Sequence, residues 1–297
     1  MMPHIELLRA IELIGLGLIV GAISPTFGIG GGLLTVPLLI LIYGMPISVA
    51  TATSLGVIIF VSLAGSLAYI RERRIDFRVA FLFMVFAVPG SVFGGLTSNW
   101  LKSLHMRVDV LQILFALTML TIALLRIVSI LRARRAGDSL ESSPPPKQSP
   151  DANVRSNRFE FRREFTDLRG VSFAYTARLF PGMAVAFAGG FIGALLGLGG
   201  GVVYVPILTG LIGLPAAIAT ATSTFTILFA NPFAVFVRFE SIRWNIVLFL
   251  SIGVVVSATI VPRFLHRVQA KWLLAGFWTL AVLASVRLIL KVAGIAM

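Results

Sequence analysis

The sequence predicts an all-α polytopic membrane protein of about eight transmembrane helices, built as two duplicated four-helix halves. The composition is the first indication, because the 297 residues are 58% hydrophobic and only 12% charged, whereas soluble domains carry about 25% charged residues. Several almost uncharged runs also reach the length of about 20 residues that a bilayer crossing requires. Finally, one apolar segment interrupted by glycine and proline occurs twice. Each half is therefore predicted to start with a helix that glycine and proline break.

The duplicated segment starts with a Gly-x-Gly-Gly-Gly run at residues 28–32 and again, at a constant offset of 169, at residues 197–201. Each copy continues to a Val-Pro pair, a Gly-x-Pro turn and an Ala-Thr-Ala-Thr-Ser run. Roughly 16 of 34 aligned positions are identical, which indicates an internal repeat. A Gly/Pro-interrupted apolar segment in corresponding halves indicates a transporter's binding site.

Four spans are predicted in each half. In the first half, residues 1–135, they cover 7–41, 49–70, 79–96 and 108–131. The first of these is too long for one straight crossing and is broken at the glycine run. In the second half, residues 179–297, they cover 179–211, again broken at the glycine run, 216–237, 246–261 and 271–292. Because the apolar N-terminus continues into the repeated segment, we expect a retained helix rather than a cleaved signal peptide.

A linker is predicted between the halves, at residues 136–178. It contains a Ser-Pro-Pro-Pro sequence and many charges, which is typical of a solvated segment. Its later part, residues 158–165, mixes phenylalanine with arginine. This part is predicted either to rest on the membrane surface or to be plainly disordered.

The loops predict the orientation. Basic residues follow the second, fourth and sixth spans, and the connections after the first and fifth spans carry none. By the positive-inside rule, both termini and the linker are expected in the cytoplasm, with the protein in the plasma or inner membrane. The equivalent basic loops at 71–78 and 238–243 then share one side, which favours a parallel repeat. If the glycine segments are re-entrant, the number of crossings between the two copies becomes odd, and the repeat is inverted.

Several function classes are disfavoured. The net charge of +13 is spread over short loops and the linker, so no nucleic-acid partner is expected. The chain has no cysteine, and its three histidines form no metal constellation. The glycine runs lack the Gly-Lys-Ser/Thr sequence of a phosphate-binding loop. With no nucleophile and base recognisable, we expect no catalytic residue, metal or cofactor.

The candidate substrate-binding residues are the glycines, the prolines and the hydroxyl residues of the repeat. Four glycines in five residues break a helix, and the freed amides and half-helix ends suit an anion. The alternative is close helix packing through small residues. Hydroxyls suit an oxyanion without the cost of a buried charge, although they also bond their own helix. The candidates are Gly28, Gly30, Gly31, Gly32, Pro37, Thr51, Thr53 and Ser54 in the first half, and Gly197, Gly199, Gly200, Gly201, Pro206, Thr220, Thr222, Ser223 and Asn231 in the second.

At these motifs, and at Pro89-Gly90-Ser91 with Gly94-Gly95, the chain resembles the TauE/SafE sulfite exporter family, also called the TSUP permeases. The resemblance implies an eight-span, duplicated secondary carrier for small sulfur-containing anions such as sulfite or organosulfonates. We therefore expect export by alternating access, with a small anion and the lipid bilayer as partners and protons as a candidate coupling ion. The alternatives are an anion channel, and a non-transporting scaffold or receptor acting through the linker. No oligomeric state is predicted.

Overall fold

The computed structural model describes residues 3–27, 30–104, 110–121, 160–166 and 172–264. In these ranges the regular elements are helices apart from one β-hairpin. The fourth predicted span is described only at residues 110–121. The eighth span and Gly28 lie outside the described residues.

The helices follow the predicted order and fall close to the predicted bounds. The first half forms α1 (Pro3–Phe27), α2 (Gly32–Tyr43), α3 (Ile47–Arg71), α4 (Phe77–Ser103) and α5 (Val110–Thr121). The second half forms α6 (Leu179–Leu196), α7 (Gly201–Gly210), α8 (Ala216–Val237), a 3-10 turn (Phe239–Ser241) and α9 (Trp244–Phe264). The predicted break in the first helix of each half is confirmed.

The two copies of the repeat share their backbone geometry. Gly31 and Gly200 precede α2 and α7 with the same φ of 78°. Such a positive φ strains any residue with a side chain, so glycine is required there. Pro46 and Pro215 precede α3 and α8, both with φ −56° and ψ 141°. The sequence repeat is thus also a structural repeat.

Equivalent helices of the two halves run in opposite directions. Arg238, which follows α8, bonds to Thr51 near the start of α3, while Asp76, which follows α3, bonds to Thr222 near the start of α8. Therefore α3 and α8 are antiparallel. Since they occupy the same place in the repeat, the second half is inverted relative to the first, and the prediction of a parallel repeat was wrong. The basic loops at 71–78 and 238–243 lie at opposite ends of the bundle.

The glycine breaks reverse the chain. Helix α9 runs alongside α3 in the same direction, because Arg243 lies at Thr53 and Val247 at Gly56. Helix α1 runs alongside α9 in the same direction, because Gly17 contacts Leu250 and Gly21 contacts Val254. Hence α1 is parallel to α3, whereas α2 is antiparallel to both, since it runs from Ile58 of α3 back to the start of that helix.

The same arrangement occurs in the second half. Gly90 and Gly94 of α4 contact Phe187 and Phe191 of α6 in turn, so α4 and α6 are parallel. Helices α1–α2 and α6–α7 are therefore two re-entrant hairpins that enter from opposite ends. The prediction of a broken but continuous crossing was wrong at this point.

This topology also changes the expected orientation. Helix α1 begins at the end of the bundle where α3 begins, and α6 begins at the opposite end, with α8. The start of α1 and the end of the predicted linker therefore lie on opposite faces, contrary to the expectation that they share one side. The C-terminus lies outside the described residues.

The distribution of apolar and polar side chains is that of a multi-pass membrane protein. Within the described residues, α3, α4 and α8 are long and apolar enough to cross a bilayer. Their outer faces expose large apolar side chains such as Phe81, Phe93 and Phe233. The buried side chains include many hydroxyls, among them Thr53, Ser54 and Thr226. Apolar groups thus face outward, and the small polar groups face the interior of the bundle.

The predicted linker contains the hairpin. Strand β1 (Glu160–Thr166) pairs antiparallel with β2 (Ser172–Arg178), with Glu160 opposite Arg178 and Thr166 opposite Ser172. The interpretation of plain disorder is therefore wrong for residues 160–165.

Candidate functional site

The tips of the two re-entrant hairpins meet. We call residues 30–32 and 197–200 the two glycine turns. A Cβ atom placed on Gly30 would lie 3.4 Å from Leu198 O, and one on Gly32 would lie 2.7 Å from Leu198 Cα. The backbones of the two turns therefore touch directly, at a distance that only glycine permits.

The contact between the glycine turns lies near the middle of the two antiparallel helices. A Cβ on Gly199 would lie 3.0 Å from Ile58, which is close to the midpoint of α3, and 3.5 Å from Asn231 Nδ2 on α8. A Cβ on Gly30 would lie 3.4 Å from Ile227 Cδ1, also on α8. Because α3 and α8 both have the length of a membrane span, the turns lie about halfway across it.

Each glycine turn leads into the N-terminus of a short helix. Leu34 and Thr35 donate their N–H groups to Gly31 O, and Val203 and Tyr204 donate theirs to Gly200 O. The backbone N–H groups just before these have no partner inside the helix. No side chain caps either end. Two partially positive helix ends, those of α2 and α7, thus converge on one place, and this arrangement favours an anion.

Two buried polar side chains beside the turns lack partners. Asn231 is 3% exposed, and its Nδ2 has no hydrogen bond within the described part of the chain. Ser24 is 2% exposed, its Oγ likewise has no partner there, and a Cβ on Gly31 would lie 3.4 Å from that oxygen. A buried, unsatisfied donor costs about 1–3 kcal/mol. Their position beside the two helix ends makes a bound ligand the natural partner.

The predicted hydroxyl residues divide into two groups. Ser54 donates to Gly197 O at 2.8 Å, and Thr51 packs against Gly197, so both touch the second glycine turn. By contrast, Thr53 accepts the N–H of Arg243, and Thr222 accepts that of Asp76.

The other predicted residues have partners within their own helices. Ser223 bonds within its own helix, to the carbonyl of Thr220. Pro37 and Pro206 lie inside α2 and α7, more than one helical turn from the glycine turns. The structure thus brings Gly30, Gly31, Gly32, Gly197, Gly199, Gly200, Gly201, Thr51, Ser54 and Asn231 together. The other described candidates have partners within their own helix or in a loop, and Gly28 lies outside the described residues.

A family model described as Sulfite exporter TauE/SafE matches residues 13–288, nearly the whole chain. The chain belongs to the TauE/SafE sulfite exporter family. Family membership and the apolar helices identify a multi-pass membrane transporter.

Two relatives from Bacillus subtilis (strain 168) are similar to this TauE/SafE member. The probable membrane transporter protein YunE is 31% identical over 226 residues, which is 74% of each chain. The probable membrane transporter protein YdhB is 34% identical over 88 residues, which is 30% of this chain and 34% of YdhB. No solved structure matches.

Sequence reasoning missed the buried Arg238. It is 2% exposed and donates to Thr51 Oγ1 and Ser48 O, both at 2.8 Å, and to Ala194 O at 3.2 Å. Arginine keeps its proton in proteins, so the buried guanidinium is charged at neutral pH. From the sequence, Arg238 is expected to be one of the charges of the loop at 238–243. The repeat does distinguish Arg238 from the other loop charges, because the equivalent residue in the first half, Tyr69, is uncharged.

One cavity lies outside the glycine turns of this TauE/SafE member. It opens between α4, α5, α6 and α7, and residues such as Leu101, Leu114 and Ile192 line it. An apolar lining of this kind offers an anion few hydrogen-bond donors. We therefore place the candidate site at the glycine turns.

Proposed function

We propose that this protein is a secondary carrier that exports a small sulfur-containing anion, such as sulfite or an organosulfonate, by alternating access. One observation carries the proposal. Two re-entrant hairpins meet tip to tip at mid-span, and two helix N-termini converge there with the Asn231 amide, which has no partner in the described part of the chain. Membership of the TauE/SafE family supports the choice of a sulfur oxyanion.

The donors beside the turns fit an oxyanion. Sulfite and sulfonates present three oxygens on one centre, each able to accept hydrogen bonds. The free N–H groups at the start of α2 and of α7 approach from two sides, and Asn231 Nδ2 and Ser24 Oγ supply side-chain donors. Hydrogen bonds to a charged group are worth about 1.5–3 kcal/mol each. A few of them therefore suffice to offset desolvation of a monoanion.

The inverted repeat supports a carrier cycle. Related halves of opposite topology let a protein exchange two conformations, one open to each side of the membrane. The two glycine turns contact each other, so an anion reaches them only when the turns separate on one side. This contact favours a carrier over an open channel.

The membrane potential supports outward transport. A monoanion that leaves a cell with an inside-negative potential of about 100 mV gains about 2.3 kcal/mol, enough for roughly fortyfold depletion. Export therefore needs no further energy source, although protons remain a candidate coupling ion.

Counterflow in proteoliposomes tests this function. Labelled sulfite outside is combined with unlabelled sulfite, taurine, sulfoacetate, acetate or sulfate inside. We expect trapped sulfite or a trapped sulfonate to accelerate uptake of the label, because a carrier returns faster when loaded. Uptake without acceleration by any trapped anion would contradict the carrier and indicate a channel.

Two glycine variants test the position of the site. Gly31→Leu and Gly200→Leu should abolish counterflow, since each puts a side chain where φ is positive and where Val61 or Tyr204 already lies. Gly15→Leu on the same hairpin is the control, because a Cβ at that position has nothing within 4 Å. Normal counterflow in either turn variant, with protein present in the membrane, would refute the assignment.

Asn231→Ala tests the side-chain donor. Loss of one hydrogen bond to a charged ligand should raise the KM for sulfite about tenfold or more, with little change in folding. Ser62→Ala is the matched control, because Ser62 holds the equivalent position in the repeat and bonds only to Ile58 and Ile59 of its own helix. An equal KM in the two variants would remove Asn231 from the site.

A further inference from the structure

Arg238 is a buried cation whose partners in the described chain are all uncharged. Its side chain folds back from the end of α8 to the first turn of α3 and the last turn of α6. There it meets two carbonyl oxygens and the hydroxyl of Thr51. Within the described part of the chain its Nε has no hydrogen-bond partner. A buried charge without an opposite charge is costly to a fold.

The helix ends reduce this cost only in part. Ala194 O belongs to the last turn of α6, which carries a partial negative charge. The first turn of α3, where Ser48 and Thr51 lie, carries a partial positive one. Arg238 also caps the C-terminal end of α8, which again carries only a partial negative charge. No carboxylate of the described residues accepts a hydrogen bond from its guanidinium.

The guanidinium lies directly behind the second glycine turn. Its partner Thr51 is the residue against which Gly197 packs, with Thr51 Cα 2.6 Å from the position of a Cβ on Gly197. One residue of α3 therefore contacts both Arg238 and the turn. Ser54, one helical turn further along α3, holds Gly197 O.

The repeat places no equivalent cation on the other side. The position equivalent to Arg238 in the first half is Tyr69, which lies with Ala221 and Phe225 in a small apolar cluster. Among the described residues, therefore, only the end of the bundle where α3 begins carries a buried positive charge close to the turns, and the buried acidic side chain of Asp76 lies at the other end.

We propose that the transported anion is the missing counter-charge of Arg238, and that Arg238 determines selectivity for anions over neutral compounds of the same shape. This inference rests on the proposed function and concerns the same site. The anion approaches from the end where α3 begins and meets the free Nε–H of Arg238 on its way to the glycine turns. Arg238 is thus a specificity-determining residue.

The test compares three variants in counterflow, with sulfite and methanesulfonate as anions and methanesulfonamide as the neutral isostere. Arg238→Gln should raise the KM for both anions on the order of tenfold to a hundredfold, since it removes a unit charge at close range in a medium of low dielectric constant. The weak competition by the neutral isostere should not change. Arg238→Lys, which keeps the charge, should stay within about fivefold of the unmodified protein. Arg243→Gln, in the same loop with an exposed side chain, should keep the unmodified KM.

Thermal unfolding of the purified protein gives a second readout that needs no transport. Sulfite should raise the Tm more than chloride at equal ionic strength, and Arg238→Gln should lose this difference, whereas Arg238→Lys should keep most of it. A merely structural arginine would lower the Tm equally with and without sulfite and leave the KM unchanged, and that result overturns the proposal. A folded Lys variant as weak as the Gln variant overturns it as well, because the charge would then not matter.

The two proposals fail differently. If the unmodified protein shows no counterflow but sulfite raises its Tm in an Arg238-dependent way, the carrier proposal fails and the anion site at Arg238 stands. If counterflow is present and Arg238→Gln has an unchanged KM, the carrier stands and the inference about Arg238 fails.

Discussion

The two halves of this protein agree in their backbone and differ in what surrounds it. Gly31 and Gly200 share one φ value, and both hairpins reverse at the same point of the repeat. The surroundings are not equivalent, however, because residues 32–40 of α2 are all buried, whereas α7 buries only Gly201, Tyr204 and Leu208.

The polar groups near the turns differ as well. The second half supplies Asn231 and Arg238, where the first half has Ser62 and Tyr69. Alternating access requires two halves that move alike, which explains a shared backbone. A single anion requires only one set of donors. The difference therefore separates residues that serve the movement from residues that serve binding.

The largest expected effect comes from Gly197→Ala. The residue has a φ of 70°, and the new Cβ would lie 2.5–2.7 Å from three atoms of Thr51. Left-handed strain and overpacking together should lower the free energy of unfolding by about 3 kcal/mol or more, and counterflow should be lost. Unfolding in denaturant, followed by helix content, gives the measurement.

Gly44→Ala is the control that separates the two causes. It has a similar φ of 61°, but a Cβ there has nothing within 4 Å. Strain alone should cost about 1 kcal/mol and leave counterflow intact. If the two variants cost the same, contact between the hairpin tip and α3 contributes nothing, and the packing of the second turn described above is wrong.

Local features of the fold could be predicted from the sequence, because glycine and proline act on their own backbone. The breaks at residues 28–32 and 197–201 and the bounds of α8 follow from this. The direction of the chain after each break could not be predicted, since a run of glycines permits a kink as well as a reversal. Whether an even or an odd number of crossings separates the two copies had to be inferred from the loop charges, and counting Arg238 among them contributed to the wrong inference. Arg238 is buried in the bundle and does not contribute to the charge of the loop.

The same limit applies to the site. The hydroxyl residues were found from the repeated Ala-Thr-Ala-Thr-Ser run, but neighbouring residues of a helix point in different directions. Thr51 and Ser54, three positions apart, lie on one face and reach Gly197, while Thr53 faces the loop before α9. The sequence shows which residues carry hydroxyls, and only the packing of the two halves shows what they contact.

A smaller effect is expected at Ser54. Ser54 and Ser223 hold equivalent positions in the repeat but make different hydrogen bonds. Ser54 donates to Gly197 O across the halves, whereas Ser223, its equivalent, donates to Thr220 O of its own helix. Ser54→Ala should therefore cost about 1–2 kcal/mol and slow counterflow, because a buried carbonyl loses its donor. Ser223→Ala should cost less than about 0.5 kcal/mol. Equal losses in the two variants would mean that the contact with the turn adds no stability.

The smallest effect is expected at two equivalent residues, one in each half, that make matching hydrogen bonds. Thr53 and Thr222 are both fully buried, and each accepts a backbone N–H from the loop after the partner half's crossing helix, at 3.1 and 3.2 Å. Thr53→Val and Thr222→Val keep the side-chain shape and leave one N–H unsatisfied, so each should cost about 1 kcal/mol. If these bonds act as matched hinges, the two variants should also slow counterflow by the same factor. A clear difference in rate at equal stability would show that the movement itself is asymmetric, and that the shared backbone of the two halves does not make them mechanically equivalent.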